Sequence, residues 1–387
     1  MSNISTTPSS EAYHIEQYVI PAPNQTWERR QAQLAPLDPR AVRIKVMYAG
    51  LCHSDLHLWQ GGYDIGRGQT YNFQDRPGHE YPIVPGHEIA GQVCELGSAV
   101  TPEDGLAVGD HVAVYPFIGC GECPQCLHKR DNFCEKPLQR VLGFQRPGGF
   151  STHTTVPDPR FVLKVPVGLD LRTVAVATCS GLTAFSAVQE SRSALALSSS
   201  VRGRARLLVV GCGGLGQWAI RLATAILPVA KLDVYAADCR EEQLETARTC
   251  GAMATVHWAQ GLSADEVKER TLSVCGDRVD VVIDFVGSSQ TTSHSLGVLQ
   301  QGGTLLVVGL YGGALEHPLP LLPLRCHRII GLHAGSTAAL AELLALIHEN
   351  NIKSPPMELF NWHQLNSAVV KLSQAKIHGR AVIEVLP

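Results

Sequence analysis

Residues 50–57 read Gly-Leu-Cys-His-Ser-Asp-Leu-His, so a thiol, a hydroxyl, a carboxyl and two imidazoles fall in one short stretch. A second stretch, Pro85-Gly86-His87-Glu88, places an imidazole beside a carboxyl. A third, 177–183, holds Cys179 and Ser180 between small residues. These side chains are the ones that bind divalent metals and move protons.

Pro-Gly-His-Glu occurs twice, at 77–80 and at 85–88. The second copy runs into IAGQVCELGSAV, and 86–100 fit G-H-E-x2-G-x5-G-x2-V. Its His87 therefore sits on a glycine turn entering a buried strand, a rigid place suited to a metal ligand. The first copy follows the polar run DIGRGQTYNFQDR and precedes Tyr81-Pro82, where proline restricts the backbone. His79 and Glu80 are expected to be loop residues; the competing reading is a loop folded over an active-site mouth.

Cys120, Cys123, Cys126 and Cys134 stand with two, two and seven residues between them. Four thiolates this close can close a tetrahedron around Zn²⁺ with no open position, which makes a structural site. Disulfides and an iron–sulfur cluster are the competing readings. His128, inside the same lobe, is expected at the surface.

Val209-Val210-Gly211-Cys212-Gly213-Gly214-Leu215-Gly216 follows an apolar strand and opens a helical pattern, and Asp238 ends the next strand 22 residues on. In such a loop Gly211 permits the tight turn, Gly213 the approach of a pyrophosphate, and Gly216 close helix–strand packing. The helix start offers free N–H groups to phosphate. Asp238 is expected to accept from ribose hydroxyls, favouring NAD over NADP, and Arg240 to soften that preference.

The elements that must hold these residues fall into two textures. The first 170 residues are rich in Gly and Pro, with short alternating runs that read as strands. From Thr173 onward strand-like and helix-like runs alternate, the pattern of a parallel sheet with crossover helices in an α/β fold. Ser191–Ala205 reads as a helix end and a loop, 336–351 as a helix and 379–387 as a strand. GGTLLVVGLYGG, 302–313, is a candidate edge strand for self-association.

Of 387 residues, 45% are hydrophobic and 17% charged, which fits a folded chain with a sizeable core. A net charge of −3 gives no basic footprint for nucleic acid. No run of about 18 apolar residues suggests a membrane span. The polar start, with no apolar signal core, gives a loose tail over the first ten residues and a cytoplasmic expectation.

Taken in order, GLCHSDLH, GHEIAGQVCELG, the four-cysteine lobe, CSGLTA and GCGGLG make the chain resemble a zinc-dependent alcohol dehydrogenase of the medium-chain dehydrogenase/reductase superfamily. The longer segments YDIGRGQTYNFQDRPGHEYPIVPGHE, YPFIGCGECPQC and CSGLTAFSAV look like its 6-hydroxyhexanoate dehydrogenase-like branch. The loop between the Cys-His-Ser cluster and GHE is longer than in the simplest members, which puts the mouth shape in question.

The resemblance implies a GroES-like, mostly β catalytic domain over 1–178, a Rossmann NAD-binding domain over 179–333, and a return to the catalytic domain over 334–387. Cys52, His87 and Cys179 would bind catalytic zinc, the Cys₂His set already known for alcohol dehydrogenase. Glu88 would stand close beside the metal, and Asp55 would orient His87. Ser54 would hydrogen-bond the alcohol oxygen and His57 pass the proton to solvent. Arg380 would lie near the cofactor phosphates or near the Asp55 and Glu88 carboxylates. Gly309-Leu310-Tyr311 would meet the nicotinamide carboxamide. Trp59 and Phe117 would line the substrate pocket or simply pack in the core.

The cofactors implied are two zinc ions per chain and NAD. The reaction implied is hydride transfer between a primary or secondary alcohol and NAD, with medium-chain or ω-hydroxy alcohols favoured. A homodimer or homotetramer is expected. The alternatives are an NADPH-preferring carbonyl or enal reductase and a catalytically silent nucleotide-binding protein.

Overall fold

The computed structural model describes residues 13–136, 140–227 and 231–386. The tail expected over the first ten residues lies outside them.

Strand β1 (Val42–Leu51) leads directly into helix α1 (His53–Gln60). β1 pairs antiparallel with β2 (Glu88–Leu96), and the register sets Gly50 opposite Glu88. β3 (His111–Val114) and β4 (Val162–Lys164) extend the sheet from β2. These strands alternate short β-branched residues inward, as in VRIKVMYAGL, where Val42, Ile44 and Val46 are fully buried. Gly50 is required by its partner: a Cβ there would stand 2.0 Å from Glu88 Oε2.

The chain next forms one long helical run, Leu171–Arg202. Its middle, Ala177–Gly181, widens into a π turn that carries Cys179, and α2 (Leu182–Arg202) completes it. Such turns interrupt the regular ladder and often mark functional positions. The sequence reading ended this helix near Ser191; it continues to Arg202 because Ser191 and Leu195 are buried against the core. The run is long and apolar enough on average to cross a membrane by length and composition, although polar residues interrupt it. It is nevertheless a core helix, since 78% of its most apolar window is buried inside the protein.

Six parallel strands follow: β5 (Ala205–Val210), β6 (Leu232–Asp238), β7 (Ala254–His257), β8 (Val279–Asp284), β9 (Leu299–Val307) and β10 (Arg328–Gly331). Their order in the sheet is β7-β6-β5-β8-β9-β10. The reversal beside β5 is the crevice where such sheets bind nucleotides. Gly211 after β5 has φ +87°, and helix α3 (Gly214–Ile226) starts from Gly213. A Cβ on Gly216 would stand 2.0 Å from Gly211 O, so only glycine lets α3 sit this close to β5. Leu207 and Val209 join the main core, while Leu208 and Val210 join a second cluster on the other face. The self-association edge expected at 302–313 is not an edge, because β9 pairs on both sides; the edge strands are β10 beside it and β7 on the far side.

Finally β11 (Met357–Asn361) and β12 (Arg380–Glu384) return to the first sheet. β12 pairs antiparallel with β1, with Val382 opposite Gly50, which delivers Arg380 beside the β1–α1 junction.

Gly50→Ala is expected to lower the melting temperature by several degrees, consistent with a cost of about 1–3 kcal/mol for overpacking. A melting temperature within 1 °C of wild type, roughly the scatter expected of a harmless surface change, would show that Glu88 does not need this space.

Candidate active site

The β1–α1 junction, the turn before β2 and the π turn bring their side chains to one place. Ligand atoms of Cys52, His87, Glu88 and Cys179 all lie within 4.8 Å of one another. Cys52, His87 and Glu88 are buried. The hydrogen bond between the two sulfurs holds the Cys52 thiol well below its ordinary value and, together with burial, raises that of Cys179 well above. Burial alone would push the His87 imidazole down, but the adjacent Asp55 carboxylate and Cys52 sulfur outweigh that and raise it. Soft donors crowded this way, with charge to share, fit a zinc ion.

Asp55 is the tie between two of these segments. Its carboxylate is fully buried and accepts from the Cys52 N–H at 2.9 Å and the Gly86 N–H at 3.1 Å. Its Oδ1 is 3.4 Å from His87 Nδ1, longer than a good hydrogen bond. Asp55 therefore fixes the backbone on both sides of the site first and faces the imidazole second. His87 Nδ1 points to the carboxylate, which leaves Nε2 for the cluster.

Glu88 is pinned from the opposite side. Arg380 Nη2 donates to Glu88 Oε2 at 2.6 Å, and the Ser180 N–H donates to Oε1 at 3.2 Å. Burial pushes the Glu88 carboxyl up to about 7, against the pull of Arg380. Of the two positions the resemblance offered for Arg380, its guanidinium takes the Glu88 carboxylate, while its stem lies on the glycine loop. A Cβ on Gly214 would stand 2.2 Å from Arg380 Cδ.

Ser54 and His57 lie three residues apart on α1, hence on one face. Both are partly buried. Burial holds the His57 imidazole below its ordinary value, assisted by His53. The His57 ring lies 4.8 Å from Tyr63, which stands 5.1 Å from Phe73; Phe73 is 6.0 Å from Phe144, which is 5.6 Å from His87. The long loop thus builds an aromatic wall from His57 to His87. His79 is buried and stacks on Phe73 at 5.3 Å, while Glu80 is exposed, so the first Pro-Gly-His-Glu copy supports this wall from behind.

The indole N–H of Trp59 donates to Gln25 O at 2.7 Å, which ties it to a neighbouring loop. Phe117 is buried and packs edge-on against His333 at 5.1 Å. His53, Tyr63, Phe144 and His333 were missed in the sequence reading. His53 stands between Cys52 and Ser54 and opens to the cleft within the field of Arg380 and Arg240. Its place in the Cys-His-Ser run was the available signal; His333 had none.

At the glycine loop α3 begins without a side-chain cap, and a Cβ on Gly213 would meet open space. Free helix N–H groups beside open room fit a pyrophosphate. Leu215 is partly buried in the first turn of α3. Asp238 accepts from the Cys212 N–H at 2.7 Å and the Arg240 N–H at 3.0 Å, which holds its carboxylate at the end of β6. Arg240 Nη1 donates to Ala375 O at 2.7 Å, so its guanidinium is engaged across the cleft. Leu310 and Tyr311 are exposed after β9.

The sulfurs of Cys120, Cys123, Cys126 and Cys134 also lie within 4.8 Å of one another. Cys120 Sγ and Cys126 Sγ are 3.9 Å apart, close to the edge of a zinc–thiolate tetrahedron, about 3.8 Å from Zn–S bonds of about 2.3 Å. The N–H groups of Cys120 and Cys123 donate to Cys134 Sγ and Cys120 Sγ, each at 3.3 Å. All twelve cysteines are free of disulfides. The donor set fits a structural zinc, and His128 is exposed.

The description "Alcohol dehydrogenase GroES-like domain" matches residues 38–167, and "Zinc-binding dehydrogenase" matches 214–349. The chain is 33% identical over 348 residues to an NAD-dependent alcohol dehydrogenase of Sulfolobus acidocaldarius, covering 89% of this chain and 92% of that protein. It is 32% identical to the corresponding protein of Sulfurisphaera tokodaii, covering 88% and 92%. Among solved structures, the alcohol dehydrogenase of Aeropyrum pernix matches with TM-score 0.81 at 27% identity, over 96% of this chain and 100% of that one. The acetophenone reductase of Geotrichum candidum, solved with NAD, matches with TM-score 0.79 at 26% identity, over 97% and 99%. The chain belongs to the zinc-type alcohol dehydrogenases of the medium-chain dehydrogenase/reductase superfamily. Its reaction class is the oxidoreduction of alcohols and aldehydes.

Arg380→Met is expected to strand a buried carboxylate and cost about 3–5 kcal/mol. Adding Glu88→Leu should recover part of the lost melting temperature. Equal melting of wild type and Arg380→Met would show that the pair carries no structural weight.

Proposed function

We propose that the protein oxidises medium-chain primary or ω-hydroxy alcohols with NAD rather than NADP, using one catalytic and one structural zinc ion per chain. The observation that carries this reading is the convergence of Cys52, His87 and Cys179 beside Glu88, facing α1 and the glycine loop. When bound, zinc supplies Lewis acidity and NAD accepts hydride.

The chain's own groups supply the rest. Cys52, His87 and Cys179 hold the metal, and Asp55 keeps two of those segments in place. The Ser54 hydroxyl accepts the alcohol proton and hands it on toward His57. Burial keeps the His57 imidazole neutral near pH 7, so one ring nitrogen is free to take that proton. Glu88, paired with Arg380, stands within reach of the same donors and would supply a nearby carboxylate to the bound metal. Tyr63, Phe144 and Phe117 present apolar surface to a carbon chain and exclude water from the reacting atoms.

Asp238 at the end of β6 supports NAD, because its charge opposes a 2′-phosphate. The engagement of Arg240 by Ala375 O supports the same choice. Leu310 meets the nicotinamide end. The exposed edge of β10, with Ile329 and nearby Leu319 and Leu324 also exposed, supports a homodimer or homotetramer. Twelve free cysteines suit a reducing, cytoplasmic compartment. Domain limits at 178 and 333 suit the two sheets.

A panel of alcohols with NAD and NADP tests the reading: the highest kcat/KM is expected for a medium-chain primary alcohol with NAD. Activity confined to NADPH would contradict it. Cys52→Ala should lose one zinc equivalent together with activity. His57→Ala should slow turnover mainly at low pH, where hydroxide is scarce and the imidazole is still the available base. A variant pH profile that parallels wild type would remove His57 from the relay.

A further inference from the structure

Among the contacts that cross the cleft, two sets differ in strength. At one end the tail 374–380 grips the nucleotide-binding sheet's surroundings. Arg240 Nη1 donates to Ala375 O at 2.7 Å, and His378 Nδ1 is 2.9 Å from Glu242 Oε1. Arg380, bonded to Glu88, packs on Gly214.

At the other end stands a hairpin formed by Gly62–Asp64 and Thr70–Asn72. Its base is fixed to α1: the Gly61 N–H donates to His57 O at 2.9 Å and the Phe73 N–H to Gly61 O at 2.9 Å. Its tip meets segment 312–314, which continues from Leu310 and Tyr311. One hydrogen bond joins them, from the Gly313 N–H to Asp64 O at 3.2 Å. The fit depends on glycine: a Cβ on Gly66 would stand 2.7 Å from Ala314 Cβ, and one on Gly312 2.7 Å from Asp64 O. Segment 312–314 is itself held, since the Ala314 N–H donates to Ser289 Oγ at 2.9 Å.

The tail end adds the buried Arg380 stem packed on Gly214 to its polar contacts, whereas the hairpin tip is held by one hydrogen bond, so the tail end resists parting more than the hairpin end does. The hairpin carries Tyr63, whose ring lies against His57, and segment 309–314 carries Leu310. We propose that hairpin 62–72 is a strap: the cleft opens where Asp64 leaves Gly313 and turns about the tail 374–380. Docked, the strap holds the aromatic wall over the alcohol site and the 309–314 segment at the nicotinamide end. Undocked, it admits both ligands from one side. The ligand roles in this inference rest on the proposed function; the direction of opening does not.

Hydrogen exchange on the full chain without cofactor reads the strap directly. Segments 62–72 and 309–316 should exchange together, and faster than 374–384. Ala314→Trp places bulk where Gly66 sits; both segments should then exchange at least about threefold faster, and the alcohol KM should rise, with zinc content unchanged. Replacing 65–69 by Asn-Gly removes the tip and should give the same result if the tryptophan variant does not fold. Exchange at 374–384 as fast as at the hairpin, or variants matching wild type in both exchange and KM, would overturn the strap. The expected exchange in a protein that oxidises no alcohol with NAD would instead sink the functional reading and leave the strap standing.

Discussion

The buried ion pair between Glu88 and Arg380 sets the register of the whole site. Glu88 follows His87, so holding its carboxylate holds the turn that aims the imidazole. Arg380 opens β12, and its stem fills the space that Gly214 leaves at the start of α3. The Ser180 N–H completes the carboxylate's partners and places Cys179, one residue earlier, against Cys52. One contact thus relates the metal-donor turn, the π turn, the returning strand and the nucleotide loop. Such a pair adds little net stability over apolar packing, but its loss leaves a charge in the core. Its value here is positional.

Asp55 does the complementary work from the other side. It binds backbone N–H groups at Cys52 and Gly86, and so joins segments more than thirty residues apart in sequence. Between Asp55 and Arg380 the donors are crowded before any metal arrives. That crowding is visible in the donor atoms of Cys52, His87, Glu88 and Cys179, which all lie within 4.8 Å of one another. Ser54 and His57, the proposed relay, need no such force, because α1 carries them three residues apart on one face. The same helix anchors the hairpin, so the proposed proton path and the aromatic wall share one support.

Much of this was legible in the sequence because the information is local. Gly211 marks a turn at positive φ and Gly216 a close packing that leaves no room for a side chain, and the cysteine lobe folds around contacts within fifteen residues. The second Pro-Gly-His-Glu could be told from the first by the strand that follows it. Other features depend on distant pairing and left no local trace. Ser191 looked like a helix end because serine favours caps, yet burial against the core carries α2 on to Arg202. Segment 302–313 looked like an edge strand, but β10 arrives beside it from later in the chain. Tyr63 and His333 reach the cleft only through the path of the long loop and the crossing after β10. Arg380 had two plausible positions, and the register of β12 against β1 puts its guanidinium on Glu88 and its stem on the glycine loop.

The central claim is that distant donors gather around one metal ion at the β1–α1 junction. Diffraction from crystals of the purified protein, recorded on both sides of the zinc absorption edge, addresses it directly. The account calls for two anomalous peaks per chain, one bounded by Cys52, His87 and Cys179 and one inside the cysteine lobe. A peak in the lobe alone, with the other three side chains turned apart, would contradict it.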